Sequence, residues 1–383
     1  MKIFDRYVFW KFFRIFVLCY VSLVGVYVVF DLFTNLDDFL AANASTVRLI
    51  ASIVEYYFVN SFVFIDMIFP MLTLLAAMAA TSMMARQNEI IALLATGISP
   101  GRMILPIFIG AAGVSLAFTA VREEFLPRRL VEINMSPTDF VERSDEVEIS
   151  SAFDNLTRIT VDGEALARSE RRIVEPRILL GRNLNRYGNR IVAKSAVYLD
   201  ADGERPGGWL LSETNLSDAA LSGPSWVDEA SGKTVVYTPG SVDWLEPNQA
   251  FVATSIDAKR LAAGDRWRLY DSTRALNAAL SDPTFARDAT ELAIRAHSRT
   301  LRPLADLLPL FLGLPFVFLR SDRNIFAALG YGCGLAGAYV ASQYVAAYFG
   351  EKLESSALGV WGPFFIFAPL AVRMLGEMTK KEV

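Results

Sequence analysis

Six stretches of the chain are apolar over lengths that a soluble fold seldom needs, at roughly 15–36, 56–85, 103–121, 303–319, 325–349 and 356–374. About 20 apolar residues in helical form cross the roughly 30 Å hydrocarbon layer of a bilayer. In lipid a segment must satisfy its own backbone, which excludes open strands and leaves helix as the conformation for each stretch. The spacing therefore predicts six transmembrane helices, three before and three after a long polar segment. Charge follows the same division. Residues 123–300 carry 50 Asp, Glu, Lys and Arg side chains, and the other 205 residues share 28.

The first apolar stretch follows Lys2, Arg6, Lys11 and Arg14, a charge order also found in signal peptides. Its apolar run is too long for a signal sequence, and Asp37 and Asp38 separate it from the small residues Ala42-Asn43-Ala44. It reads as a retained anchor. With the N-terminus inside, the inner ends hold Lys2, Arg6, Lys11, Arg14, Arg86, Arg102, Arg320, Arg323, Arg373, Lys380 and Lys381. The short outer loops hold only Arg48 and Lys352. This bias places both termini in the cytoplasm and residues 123–300 outside, in the periplasm of a bacterium.

Within 123–300, β-branched or alternating runs predict strands at Thr157–Val161, Arg190–Leu199, Trp209–Glu213, Thr234–Thr238 and Phe251–Ile256. Asp162-Gly163, Asp202-Gly203, Pro206-Gly207-Gly208, Ser222-Gly223-Pro224 and Pro239-Gly240 punctuate them as turns. Such a pattern fits a sandwich, a jelly roll or an open barrel. A helix capped by Asp271 or Ser272 should run to Leu280, and another should open at Asp282 or Pro283 and run to about His297. Cys19 and Cys333 both lie in apolar runs, so no disulfide framework holds the polar block.

Several functions are excluded by what the chain lacks. A net charge of −4 does not suit a nucleic-acid-coating protein. The lone His297 rules out a histidine-rich metal centre, and no cofactor or metal is expected. No GxxxxGK[ST] loop is present, so the chain does not hydrolyse ATP in the P-loop manner by itself. GxSxG, HExxH and CxxC are absent as well. Gly332-x-Gly334-x-x-Gly337 spells a dinucleotide fingerprint but follows no strand. With the pair Gly330 and Gly334 it reads better as close helix packing. Asp31, Asp66 and Asp306 lie within apolar stretches, where charge is costly and points to function or to a polar partner.

The loop between the second and third stretches carries the most information. Residues 86–95 favour helix, Gly97 fits a helix stop and Pro100 opposes continuation, giving a short cytoplasmic helix at about 86–96 with Glu89 in its first turn. Here "RQNEIIALLATGISPGRMILPI" resembles the coupling helix of the lipopolysaccharide-export permeases, the LptF/LptG (YjgP/YjgQ) family. "FDRYVFWKFFRIF" with "VVFDLFTNLDDFL", "REEFLPRRL" and "RALNAAL…ATELAIRAHSRTLRPLADLLPLFLGLPFVFLR" are similar to the family's first helix, its exit from the third and its return into the fourth.

The resemblance implies an α-helical membrane protein with six transmembrane helices and an inserted periplasmic β-jellyroll. The divisions are 1–122, 123–300 and 301–383. It also implies a role as permease subunit rather than enzyme. A second related permease subunit pairs with it, and a cytosolic ABC ATPase dimer grips the coupling helix through Glu89, with Arg86, Ile90, Leu93 and Gly97 around it. Lipopolysaccharide passes through the cavity to a periplasmic jellyroll bridge. Members of the family carry lysines on the outer first helix, where this chain has Asp31, Asp37 and Asp38. Arg122, Arg299 and Arg302 at the outer rim are candidate substitutes for these head-group contacts on the substrate path, beside Asp31, and charge balance at the membrane surface accounts for them equally well. A membrane-embedded lipid-modifying enzyme and an anchor for a periplasmic scaffold are the competing readings.

Overall fold

The structure is a computed structural model and describes residues 3–42, 44–181, 184, 188–203, 205–228, 232–264, 267–281, 288–319 and 325–380. Lys2, Arg320, Arg323, Lys381 and the expected helix start at Asp282 or Pro283 lie outside them. The chain forms two compact units. One comprises Met1–Thr34, Asn60–Leu126 and Thr290–Val383, and the other Asn35–Val59 and Pro127–Ala289.

The first unit is helical. Among the described residues four helices are long and apolar enough to cross a membrane: Ile3–Thr34, Thr46–Arg86, Pro100–Asn134 and Ser356–Met378. The helices Ala289–Ala305 and Leu308–Phe318 form a fifth candidate if read as one span bent by 41°. Among the described residues, four or five of the six expected spans are thus found. The expected fourth span is broken because Pro303 and Pro309 flank the charged Asp306, and each proline removes a backbone donor. The expected fifth coincides with the 28-residue helix Ile325–Lys352, which is not among the four.

Phe12, Phe16, Ile65, Phe69, Leu72, Met78, Ile107 and Leu310 pack at the centre of this unit. Much of Ile3–Thr34 remains outside that core, with Leu18, Val21, Val29 and Phe30 exposed. Such a face suits hydrocarbon better than water. The glycine motif behaves differently from expectation. A Cβ on Gly332 would come within 2.6 Å of Met78, whereas Gly330, Gly334 and Gly337 face open space. Close approach within this chain is thus made at Gly332 rather than by the Gly330–Gly334 pair, because only Gly332 lies on the face turned to Met78.

Among the described residues the second unit holds eleven strands: β1 (Glu146–Glu148), β2 (Ala152–Asp154), β3 (Ile159–Asp162), β4 (Ala165–Ala167), β5 (Arg172–Val174), β6 (Arg177–Leu179), β7 (Arg190–Leu199), β8 (Gly208–Thr214), β9 (Trp226–Val227), β10 (Thr234–Tyr237) and β11 (Gln249–Ala253). Their order is β1-β4-β5-β7-β8-β11-β10-β9, with a branch β2-β3-β6 that also joins β7. All pairings are antiparallel. The long strand β7 serves both arms: Arg190–Val192 pair with β6, and Ser195–Val197 pair with β5. Apolar side chains such as Val161, Ile173, Ile191, Leu211 and Val252 form its core, with Trp209 donating from Nε1 to the Ile256 carbonyl at 2.9 Å. Gly208 is required there, since a Cβ would meet the Val252 carbonyl at 2.2 Å. Strand β7 covers the range expected from sequence. The expected cap is also present: Ser272 Oγ accepts the Ala275 N–H and opens the helix Thr273–Leu280.

Candidate functional site

The loop helix spans Glu89–Ala95. It begins after Asn88, which adopts a left-handed conformation (φ 56°) and turns the chain out of Thr46–Arg86. It ends on two reverse hydrogen bonds, Gly97 N–H to the Leu94 carbonyl (2.9 Å) and Ile98 N–H to the Leu93 carbonyl (3.2 Å). This closure needs a left-handed residue at 97, and Gly97 supplies it with φ 77°. Ser99 and Pro100 then start the next helix. Only seven residues long, the helix draws its stability from packing rather than from propensity.

Its faces divide cleanly. Ile90 and Leu93, three positions apart, are half-buried against the core of the helical unit. The inward side of so short a helix must be apolar, and these two, both expected at the partner interface, provide it. The outward apolar side chains are Ile91 and Leu94, which are 62% and 44% exposed. Arg86 and Gly97 are exposed at the two ends.

Glu89 has intramolecular partners that sequence spacing did not reveal. Lys11 Nζ lies 2.9 Å from Glu89 Oε2 and 3.0 Å from Oε1. The Tyr7 hydroxyl donates to Oε1 at 2.8 Å. Lys11 also donates to the Gln87 side-chain carbonyl at 2.7 Å. Tyr7 and Lys11 are one turn apart, hence on one face of the first helix. That periodicity is visible in the sequence, but a partner 78 positions away is not.

A second cluster lies where three helices are irregular. Pro70 has no N–H for the Asp66 carbonyl, which would otherwise stay unpaired inside Thr46–Arg86. Arg302 Nη2 donates to that carbonyl at 2.5 Å and lies 3.4 Å from the Asp66 carboxylate. Arg122, in the π-helical turn Val121–Phe125, donates to Asp66 Oδ1 through Nε at 2.7 Å and also through Nη2. Arg302 Nε is 3.7 Å from Asp306, and Arg299 Nη1 is 3.8 Å from Glu123. Arg122 and Arg299 are buried. The three arginines thus lie beside the carboxylates of Asp66, Asp306 and Glu123, as charges this deep in the bundle require.

The same family is indicated by the whole chain. It matches the family described as lipopolysaccharide export system permease LptF/LptG over residues 6–376, nearly its full length. The chain belongs to the LptF/LptG family. No individual curated protein matches it. As an LptF/LptG permease it is a transporter component of a lipopolysaccharide export system, works with other components of that system, and is not itself an enzyme. Its apolar helices fit a multi-pass protein of the inner membrane, and its β-sheet unit fits the accompanying β domain.

Asp31 stands apart from both clusters. It is half-buried on the wall of a shallow groove of about 400 Å3, beside Leu23, Val26, Phe30 and Phe64. Among the described residues no group of three His, Cys, Asp or Glu side chains is placed to hold a metal ion.

Proposed function

We propose that this LptF/LptG permease extracts lipopolysaccharide from the inner membrane as one half of a permease pair, driven by a cytosolic ATPase dimer docked on helix Glu89–Ala95. The second permease subunit is a relative of this chain. Both termini and the docking helix are cytoplasmic, and residues 123–300 lie in the periplasm, where a jellyroll bridge receives the lipid. The observation that carries this reading is the built docking helix. It is closed at Gly97, holds itself to the bundle by Ile90 and Leu93, and leaves Ile91 and Leu94 uncovered beside the Glu89 carboxylate. Exposed apolar anchors next to one charge suit a protein interface better than water.

The chain carries no P-loop motif, so ATP chemistry is assigned to the partner. The partner can move the permease only by making different contacts in its two nucleotide states. The groove lined by Leu23, Val26 and Phe30 suits an acyl chain, with Asp31 at its polar edge. The three arginines of the buried cluster keep the helices in register near the outer end. Pull-down in mild detergent, with identification of bound protein and lipid, tests the proposal. The wild-type chain should retain an ATPase, a second permease and lipopolysaccharide. Glu89→Lys should lose the ATPase while keeping the permease pair. Recovery of the ATPase at wild-type level with Glu89→Lys overturns the docking assignment.

A further inference from the structure

The docking helix could hang from the bundle by its loops alone, and the structure shows that it does not. Lys11 reaches across the turn at Asn88 and binds both of its sides, Gln87 Oε1 at 2.7 Å and the two Glu89 oxygens at 3.0 and 2.9 Å. Tyr7 adds a third bond to the same carboxylate and a fourth contact to Lys11 itself, at 3.1 Å. An ammonium has three protons, so these acceptors use its full donor capacity. The pair is well sheltered for a loop contact: the Lys11 side chain is 12% exposed and Glu89 27%. The Asn88 turn is the place where the chain leaves the second long helix. It is therefore the natural pivot of the docking helix, and Lys11 bridges it.

We propose that Lys11 and Tyr7 form a clamp that links the docking helix to the first membrane helix, so that displacement of Glu89–Ala95 by a partner is passed to Ile3–Thr34. This rests on the docking reading above and adds the route by which the force enters the bundle. Glu89 is the shared joint. A carboxylate offers about four acceptor positions. Three are occupied here by Lys11 and Tyr7, and Oε2 keeps room for one more donor. A cationic side chain on the partner can thus join the carboxylate without expelling Lys11, and a pull on Glu89 becomes a pull on the first helix. The groove beside Leu23, Val26 and Phe30 lies on that same helix, three to five turns further along. Lys11 is a positioning residue in this scheme, acting through Glu89 and touching no lipid.

The test uses the assembled complex in vesicles containing lipopolysaccharide. Three quantities are read: ATPase retained, ATP hydrolysed and lipopolysaccharide released. Lys11→Met removes the charge at similar length. It should leave ATPase binding and hydrolysis near wild type while release falls by at least about five-fold, the low end of ordinary coupling between sites. Lys11→Arg should restore most of the release, and Tyr7→Phe should give a smaller loss. Hydrogen exchange of residues 87–95 in the detergent-solubilised chain gives a readout independent of transport. Exchange should rise in Lys11→Met and return toward wild type in the exchanged pair Lys11→Glu/Glu89→Lys, although that pair should not regain the ATPase. Wild-type release and exchange in Lys11→Met overturn the clamp. If Glu89→Lys still loses the ATPase in that case, the docking reading stands alone. If Glu89→Lys retains it, the docking reading fails first.

Discussion

Two buried carboxylates solve one problem in different ways. Asp66, in the helical unit, faces the guanidinium groups of Arg122 and Arg302. Asp154, in the β unit, is fully buried and bound only by neutral donors. Its Oδ1 accepts the Leu156 and Thr157 N–H groups at 2.9 and 3.3 Å, and its Oδ2 accepts the Thr254 hydroxyl at 2.6 Å and the Ser255 N–H at 3.3 Å. The difference follows from the backbone. In a helix each interior N–H is consumed by the carbonyl four residues back, so a buried carboxylate must find its donors on other side chains. At a strand end followed by a turn, N–H groups are free to point inward. Helical membrane units are thus driven to bring in arginines, and β units are not.

Removing one partner should expose this contrast most strongly at Asp66. Arg122→Ala leaves a buried carboxylate short of its main counterion and should destabilise the helical unit by roughly 3–5 kcal/mol. The paired change Asp66→Leu/Arg122→Met should recover most of that loss, since a buried ion pair is often replaceable by apolar side chains of similar volume. Arg302 still has the Asp66 main-chain carbonyl and Asp306 in that variant. Thermal unfolding of the full chain in detergent measures both. A double variant no more stable than Arg122→Ala would show that the arginine does more than neutralise Asp66.

At Asp154 the expected loss is smaller and its pattern is reversed. Asp154→Ala removes the acceptor of a hydroxyl and three N–H groups, but water entering the vacated space can serve most of them, so the net loss should be about 1–3 kcal/mol, the cost of one buried unsatisfied group. Asp154→Asn should also be costly, because its NH2 must oppose at least one backbone N–H whichever way it is turned. Hydrogen exchange at Leu156, Thr157 and Ser255 reports the change locally, and protection unchanged by Asp154→Asn would break the comparison.

These two sites also show what the sequence could and could not reveal. Asp66 stands out in an apolar run, so its importance was legible, as was the need for a partner. Which arginine answers it was not, because the contacts span 56 and 236 positions. The cap at Ser272, the strand Arg190–Leu199 and the stop at Gly97 were legible because each rests on a local pattern. The strands β1, β2, β4, β5, β6 and β9 hold two or three residues each, too few for periodicity to register. Asp154 gave no warning at all, since an Asp followed by Asn155 in a charged, polar block looks like any turn residue. The break at Asp306 was visible as two prolines and a charge, yet length and apolarity alone favoured one straight span.

Asp145, also in the β unit, offers a third case that sharpens the comparison at its weak end. It is exposed, and the Ser169 hydroxyl (2.5 Å) and backbone N–H (3.0 Å) bind its carboxylate. The Ser169 side chain is the main reason its pKa falls below the usual carboxylate range; desolvation opposes it, and the backbone N–H and Arg168 add smaller lowering effects. A lowered folded-state pKa means stability that is present above the unfolded value and lost as the pH falls through the folded one. Ser169→Ala should therefore raise the Asp145 pKa toward the ordinary value and narrow that window, while leaving the strand pairing of β1 with β4 intact. Carboxyl chemical shifts followed across an acid titration give the pKa directly. An unchanged midpoint would assign the shift to the backbone N–H and Arg168 instead. Neutral donors would then tune an exposed carboxylate through the main chain, as the three N–H groups hold the buried Asp154.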